Sequence, residues 1–407
     1  MSFGGNFVIV SPMPKKVMEL EKKYLLQTYG RYPLVLERGK GVWVWDNKGK
    51  KYLDLIAGIG VNMLGHDHPR VVKVIRDQCR KGIHFSNLYY HSYQGPLAER
   101  LAKLSGMNRA FICNSGTEAW EGALKLARAY TGKISPEKYR FVSVENSFHG
   151  RTMGAVATTG QEKYRTPYLP LLPGVHFVPF NDVATLRSKV NDNTCAIMVE
   201  VIQGEGGISE VSHEFLKSAR DLCDQHDAVL ICDEIQCGLG RTGKWFAYQN
   251  HGVLPDIVTV SKPLAAGFPL GAFLATEKVA AAFSPGMHGS TFGGGPLGCR
   301  LALEFLDVVT KQRLLAHVAR MGAYFIKKLE ALKRKYSVIM EVRGRGLMLA
   351  MDLSVPGRPY VDRAMGNGML INSTHDTVLR FLPAYIIDKK QIDLAAELLD
   401  KTFSELG

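Results

Sequence analysis

Lys262 ends a short β-branched run, Ile257-Val258-Thr259-Val260-Ser261, and is followed by Pro263 and then by small residues and glycine. The run reads as a buried strand. Pro263 cannot donate to a sheet, and it drives Lys262 away from helical angles. A lysine therefore stands at the carboxyl end of a core strand, which is where open α/β sheets bind ligands. Burial there requires either a paired charge or a neutral amine. A neutral amine held in place is ready to form a Schiff base with a carbonyl. A solvated strand-end lysine is the plain alternative.

Further pieces sit at similar positions. In Val229-Leu230-Ile231-Cys232-Asp233, Asp233 ends another apolar run, and a buried carboxylate needs a cationic partner. A protonated pyridine nitrogen would serve and would deepen an electron sink; Arg241 is the structural alternative. Ser115-Gly116-Thr117 follows the run Arg109–Cys113 and opens a helix, offering N–H groups, hydroxyls and the positive helix end to an anion. An ordinary helix cap would look the same. Phe148 is fit to stack on an aromatic ring, and Arg151 to grip a carboxylate with both arms of its guanidinium. The loop Ser290-Thr291-Phe292-Gly293-Gly294-Gly295 combines two hydroxyls with glycines. Glu205, in a glycine-rich loop, and Arg380, near the C-terminal end, are of opposite charge and able to pair.

These residues need a frame. A helix is expected from Lys15 to Tyr29 behind a loose arm of about fifteen residues, then a hairpin over 41–55 and helices near 69–82 and 93–105. Strands are expected at 109–113, 139–144, 175–178, 195–201, 228–232, 256–260 and 270–275. Helices at 116–131, 182–190, 212–226 and 276–283 alternate with them. Such alternation predicts a mostly parallel central sheet covered on both faces, an α/β fold. Past Pro296 two helices to about 335, strands at 338–342, 347–352 and 378–382, and a last helix at 388–404 suggest a smaller α+β domain. The expected division is 1–60, an arm and hairpin packing with the small domain; 61–295, the large domain; and 296–407, the small C-terminal domain.

Composition sets bounds on partners. The chain has 407 residues, 46% hydrophobic and 22% charged, as in ordinary globular proteins. No apolar run is long enough to span a bilayer, and no signal peptide is expected from the first residues. Seven scattered cysteines without a CxxC pair argue for reduced thiols in the cytoplasm and against a metal array. The net charge of +13 comes from dispersed basic residues without a nucleic-acid-binding signature. No nucleic-acid, membrane or metal partner is expected, and anionic small molecules suit such a surface.

Taken together, YLDLIAGIGVNMLGHDHP (52–69), NSGTEA, FHGRT, IQGEGG, DEIQCGLGRTGKW, SKPLAAGFPLGA, HGSTFGGGP, RGRGLML and LRFLP resemble the class III pyridoxal-phosphate aminotransferases of the ornithine and acetylornithine type. The resemblance covers nearly the whole chain. It implies fold type I, the aspartate-aminotransferase architecture, with pyridoxal 5'-phosphate as cofactor. Lys262 then matches the Schiff-base lysine and Asp233 the partner of the pyridinium. Gln236 lies where the family contacts the phenolic oxygen. Ser115, Gly116 and Thr117 match the phosphate cup, and Phe148 the ring-stacking residue. Ser290 and Thr291 would reach a neighbouring subunit's site, which implies a homodimer. Arg151 would read the substrate's distal carboxylate, and Arg380 the second carboxylate of glutamate, masked by Glu205 in the other half-reaction. The implied reaction moves the terminal amine of N-acetylornithine or ornithine to 2-oxoglutarate. Another ω-amine donor, such as 4-aminobutyrate or a lysine-pathway intermediate, is the alternative, as is a related isomerase or racemase. Trp120, Val201, Pro263 and Gly295 depart from the family pattern; Trp120 is expected to alter packing alone.

Overall fold

The computed structural model describes residues 14–407. The arm expected over the first residues therefore lies, up to residue 13, outside the described part. The helix behind it, Pro14–Tyr24, is shorter than expected, and Leu25 and Leu26 beyond it are exposed. Next comes an antiparallel meander of β1 (Leu36–Lys40), β2 (Trp43–Asp46) and β3 (Lys51–Asp54). Only β2 and β3 were expected. Asp46 accepts from the Lys48 and Lys50 amides and closes the turn between them.

The central sheet has seven strands: β4 (Arg109–Cys113), β5 (Arg140–Val144), β6 (Val175–Val178), β7 (Thr194–Glu200), β10 (Val229–Asp233), β11 (Ile257–Val260) and β12 (Gly271–Ala275), with the short ribbon β8 (Ile202–Gln203) and β9 (Ser209–Glu210) inserted after β7. Their order is β4-β12-β11-β10-β7-β5-β6. All neighbours run parallel except β12, which is antiparallel to both β11 and β4. Every residue of β7, β10, β11 and β12 is buried, the continuous apolar pattern of a sheet sandwiched between helices.

The C-terminal part holds β13 (Ile339–Arg345), β14 (Met348–Leu353), β15 (Met369–Leu370), β16 (Asn372–Thr374) and β17 (Val378–Phe381). Four of these form one antiparallel sheet, and β15 instead pairs with β3, extending the N-terminal meander. The helix Arg358–Gly366 and the strands β15 and β16 escaped the periodicity reading because each is short and none repeats its apolar positions over two turns or pairs.

Two features join the parts. The helix Pro296–Lys311 packs on the helix Pro69–Cys79 and on the turn Lys262–Ala265. Arg241, fully buried, donates to the carbonyls of Leu347 and Pro383 at 2.8 Å each. Burial with no carboxylate nearby lowers its guanidinium pKa to about 10. Arg241 thus does not neutralise Asp233, as the structural alternative required; it ties the loop after β10 to the C-terminal sheet. Among the described residues no helix is long and apolar enough to cross a membrane, and no group of three or more His, Cys, Asp or Glu side chains could hold a metal ion.

Candidate active site

The carboxyl ends of β7, β10 and β11 bring Glu200, Asp233 and Lys262 together. In the ladder Asp233 pairs with Glu200 on one side and with Thr259 on the other. They line a cavity of about 210 Å³ together with Gly116, Thr117, Phe148, His149, Gly150, Glu205, Ile235, Gln236 and Ser261. Seven candidate site residues named from the sequence, Gly116, Thr117, Phe148, Glu205, Asp233, Gln236 and Lys262, thus share one cavity.

Asp233 is held by three donors. His149 Nδ1 lies 2.7 Å from its Oδ2, and the Ile235 amide and the Thr259 hydroxyl reach Oδ1 at 3.0 and 3.1 Å. A carboxylate can only accept, so Nδ1 carries the proton. His149 was passed over in the sequence, although it adjoins Phe148; a strand-end acid needing a partner was the available signal. Glu200 was passed over too. Its oxygens accept from the Phe148 amide at 2.7 Å and the Gly204 amide at 3.0 Å. Burial first, then the charge of Asp233, push its carboxyl up to about 8.

Lys262 opens a single 3-10 turn after β11, with Ser261 anchored to the Leu270 carbonyl at 2.8 Å. Burial draws its ammonium pKa below the ordinary lysine range, against the opposing pull of Asp233 and Glu205. The amine therefore loses its proton more easily than a surface lysine does. The helix Gly116–Gly132 starts at the cavity. Ser115 caps it, accepting the Glu118 amide, which leaves first-turn N–H groups for an anion. Gly271 of β12 lets this cap approach: a Cβ there would meet the Ser115 carbonyl oxygen at 2.4 Å.

Behind Glu205, which lines the cavity, stands an arginine from the C-terminal sheet. Arg380, on β17 and 1% exposed, reaches Glu205 at 2.6 Å and the Gly204 carbonyl at 3.1 Å. Burial works against the charge of Glu205, but Arg380 outweighs it and holds the carboxyl below its ordinary range.

Three residues stand apart. Arg151 is exposed and lies over the rings of Tyr164, at 4.2 Å, and Phe148, at 5.6 Å, beside the cavity and not among its lining residues. Ser290 bonds Asn114 of the same chain at 3.1 Å, and Thr291 is exposed; neither lines the cavity of its own chain. Trp120 packs against one of the site's own residues. It is fully buried, as packing requires, and it lies parallel to the His149 ring with centroids 3.8 Å apart.

The profile of the family described as "Aminotransferase class-III" matches residues 24–403. The chain belongs to the class-III aminotransferases. An acetylornithine aminotransferase of Methanocaldococcus jannaschii is 50% identical over 96% of this chain and 98% of its own length. Among solved structures, the ornithine aminotransferase of Toxoplasma gondii superposes with a TM-score of 0.93 at 33% identity, over 98% of this chain and 96% of that one. A second structure of that enzyme, described as having partial occupancy of PLP at its active site, has a TM-score of 0.91 at 34% identity, over 96% and 94% of the two chains. The mixed central sheet and flanking helices are thus those of fold type I.

Proposed function

We propose that this enzyme transfers the terminal amine of N-acetylornithine or ornithine to 2-oxoglutarate, giving a semialdehyde and glutamate, with pyridoxal 5'-phosphate as cofactor. The observation that carries the reading is the meeting of Lys262, Asp233 and the Gly116 helix start in one cavity also lined by Glu205, the ion-pair partner of Arg380. These residues fit the cofactor. They provide an amine of lowered pKa for its aldehyde, a fixed carboxylate for its ring nitrogen and free amides for its phosphate. When bound, pyridoxal phosphate supplies an electron sink for the carbon that bears the reacting amine.

The chain's own groups do the rest. Ser115, Gly116 and Thr117 hold the phosphate at the helix start. Asp233, fixed by His149 and Thr259, would keep a proton on the ring nitrogen. Gln236 and Phe148 line the same cavity; with the cofactor bound, Gln236 would bond its phenolic oxygen and Phe148 would cover its ring face. The Lys262 amine, of lowered pKa and at the strand end, would accept the proton from the carbon that bears the reacting amine and serve as the acid that returns it. Arg151 reads the carboxylate far from the reacting amine in both donors. Arg380 reads the carboxylate that glutamate alone has beside its amine, and Glu205 neutralises Arg380 when the other donor is bound. Ser290 and Thr291 complete the site of a neighbouring copy, which makes the enzyme a homodimer. Their position outside their own chain's cavity supports this. The division at residues 60 and 295 is proposed on the same footing, with the β3–β15 pairing supporting the link of the N-terminal hairpin to the small domain. Free cysteines support a cytoplasmic location.

The test is a panel of amine donors with 2-oxoglutarate, reading glutamate formation. N-acetylornithine or ornithine should give the highest kcat/KM. A better rate with 4-aminobutyrate, or turnover that needs no 2-oxoglutarate, would replace this reading.

A further inference from the structure

Trp120 and His149 form a stack pinned from both sides. The rings are 5° from parallel with centroids 3.8 Å apart. The indole N–H donates to the Thr158 hydroxyl at 2.8 Å, while the His149 amide donates to the hydroxyl of the next residue, Thr159, at 3.0 Å. Both hydroxyls turn back on the Ala155 carbonyl, so one short helix, Met153–Thr158, fixes both partners. The His149 side chain is fully buried, and its Nε2 has no hydrogen-bond partner among the described residues. A buried imidazole with one nitrogen unsatisfied is not oriented by hydrogen bonds on both sides. Its orientation comes from the Asp233 bond at one edge and the indole on its face.

We propose that Trp120 is a positioning residue of the reaction, acting through His149 to hold Asp233 toward the cofactor's ring nitrogen. The inference rests on the proposed reading that Asp233 faces that nitrogen. The physical route is short. The indole face restricts the imidazole to one plane, that plane aims Nδ1–H at Oδ2, and the bond fixes which way the carboxylate points. A ring free to tilt would let the carboxylate rotate about Oδ1, which Ile235 and Thr259 still hold. The cofactor would then meet an acceptor that is present but misaimed, and small misplacements are costly in preorganised sites.

The test is a double-mutant cycle on the full-length enzyme. Trp120→Met keeps much of the volume and removes the aromatic face. Expected is a loss of about tenfold in kcat, a similar weakening of pyridoxal phosphate binding to cofactor-free protein, and an unchanged donor KM. In a His149→Asn background the same substitution should cost nothing further in either quantity. Should Trp120→Met fail to fold, Trp120→Phe carries the same cycle, with a smaller loss that again vanishes without His149. Losses of equal size in both backgrounds, or a lowered Tm with kcat and cofactor affinity intact, would overturn the inference. Asp233→Asn is the control: if it too leaves cofactor affinity and kcat unchanged, the placement of Asp233 against the ring nitrogen has failed, and not the role of Trp120 alone.

Discussion

On the large-sheet side of the cavity both carboxylates are bound to groups that cannot move far. Asp233 takes donors from a backbone amide, a strand hydroxyl and a stacked histidine, and Glu200 takes two backbone amides. On the other side Arg380 and Glu205 form an ion pair across a loop and a strand of the C-terminal sheet; Arg380 also donates to the Gly204 carbonyl, but the Glu205 side chain remains 27% exposed. Chemistry at a reacting carbon needs fixed groups, because misplacement costs rate. Recognition of two donors that differ by one carboxylate needs a charge that can be shown or hidden. The fixed wall suits the step common to both half-reactions, and the exchangeable pair suits the step that differs.

The largest effect should follow from breaking the fixed side. Lys262→Ala is expected to lower turnover by at least about a thousandfold, since among the described residues no other lysine lines the cavity. Near-visible absorbance from the lysine–cofactor bond should disappear, while the amides at the Gly116 helix start still retain the cofactor through its phosphate. Steady-state rates and absorption spectra check this. Turnover near the wild-type level would remove Lys262 from the mechanism and dissolve the contrast between the walls.

A smaller change should come from the exchangeable side. In Glu205→Ala the Arg380 guanidinium loses its carboxylate and stays available for a substrate carboxylate at all times. The ratio of kcat/KM for glutamate over N-acetylornithine should rise by about tenfold, the worth of one charge-assisted hydrogen bond. The comparison is of ratios, so a general loss of activity does not obscure it. An unchanged ratio would mean that Glu205 only holds Arg380 in place and that both walls are fixed.

The two sides also differed in how legible they were in the sequence. Lys262 and Asp233 could be placed because each ends an apolar run, and the sheet period leaves a strand-end polar residue nowhere else to go. All seven central strands were found for the same reason, to within a residue or two at their ends. His149 was missed because its role depends on β5 and β10 lying two strands apart with β7 between them, an order that periodicity does not encode. That Trp120 packs on His149 in particular is not legible in the sequence, because stacking against a ring 29 positions away has no local signal. The Glu205–Arg380 pair joins a loop of the large sheet to the C-terminal sheet, and charge complementarity with the resemblance suggested it where spacing could not.

The smallest expected effect asks how much charge the fixed wall carries. Glu200 stands beside Asp233 across the β7–β10 ladder, and burial and that neighbour raise its carboxyl to about 8 from an ordinary value of 4.5. Its two amide donors oppose the rise without cancelling it. Between those two values the folded cofactor-free protein keeps a proton that the unfolded chain releases. This contribution to stability is therefore fully present below about pH 4.5 and declines as pH rises, levelling off near pH 8 where the folded carboxyl ionises. Glu200→Gln removes the titration, so the urea midpoint of the variant should fall less steeply with pH across that window, by up to about one proton's worth of slope. A variant with the wild-type slope would mean that Glu200 is already an anion beside Asp233. Lys262 would then face two fixed negative charges, its ammonium form would be favoured, and release of its proton would depend on the cofactor's arrival more than on burial.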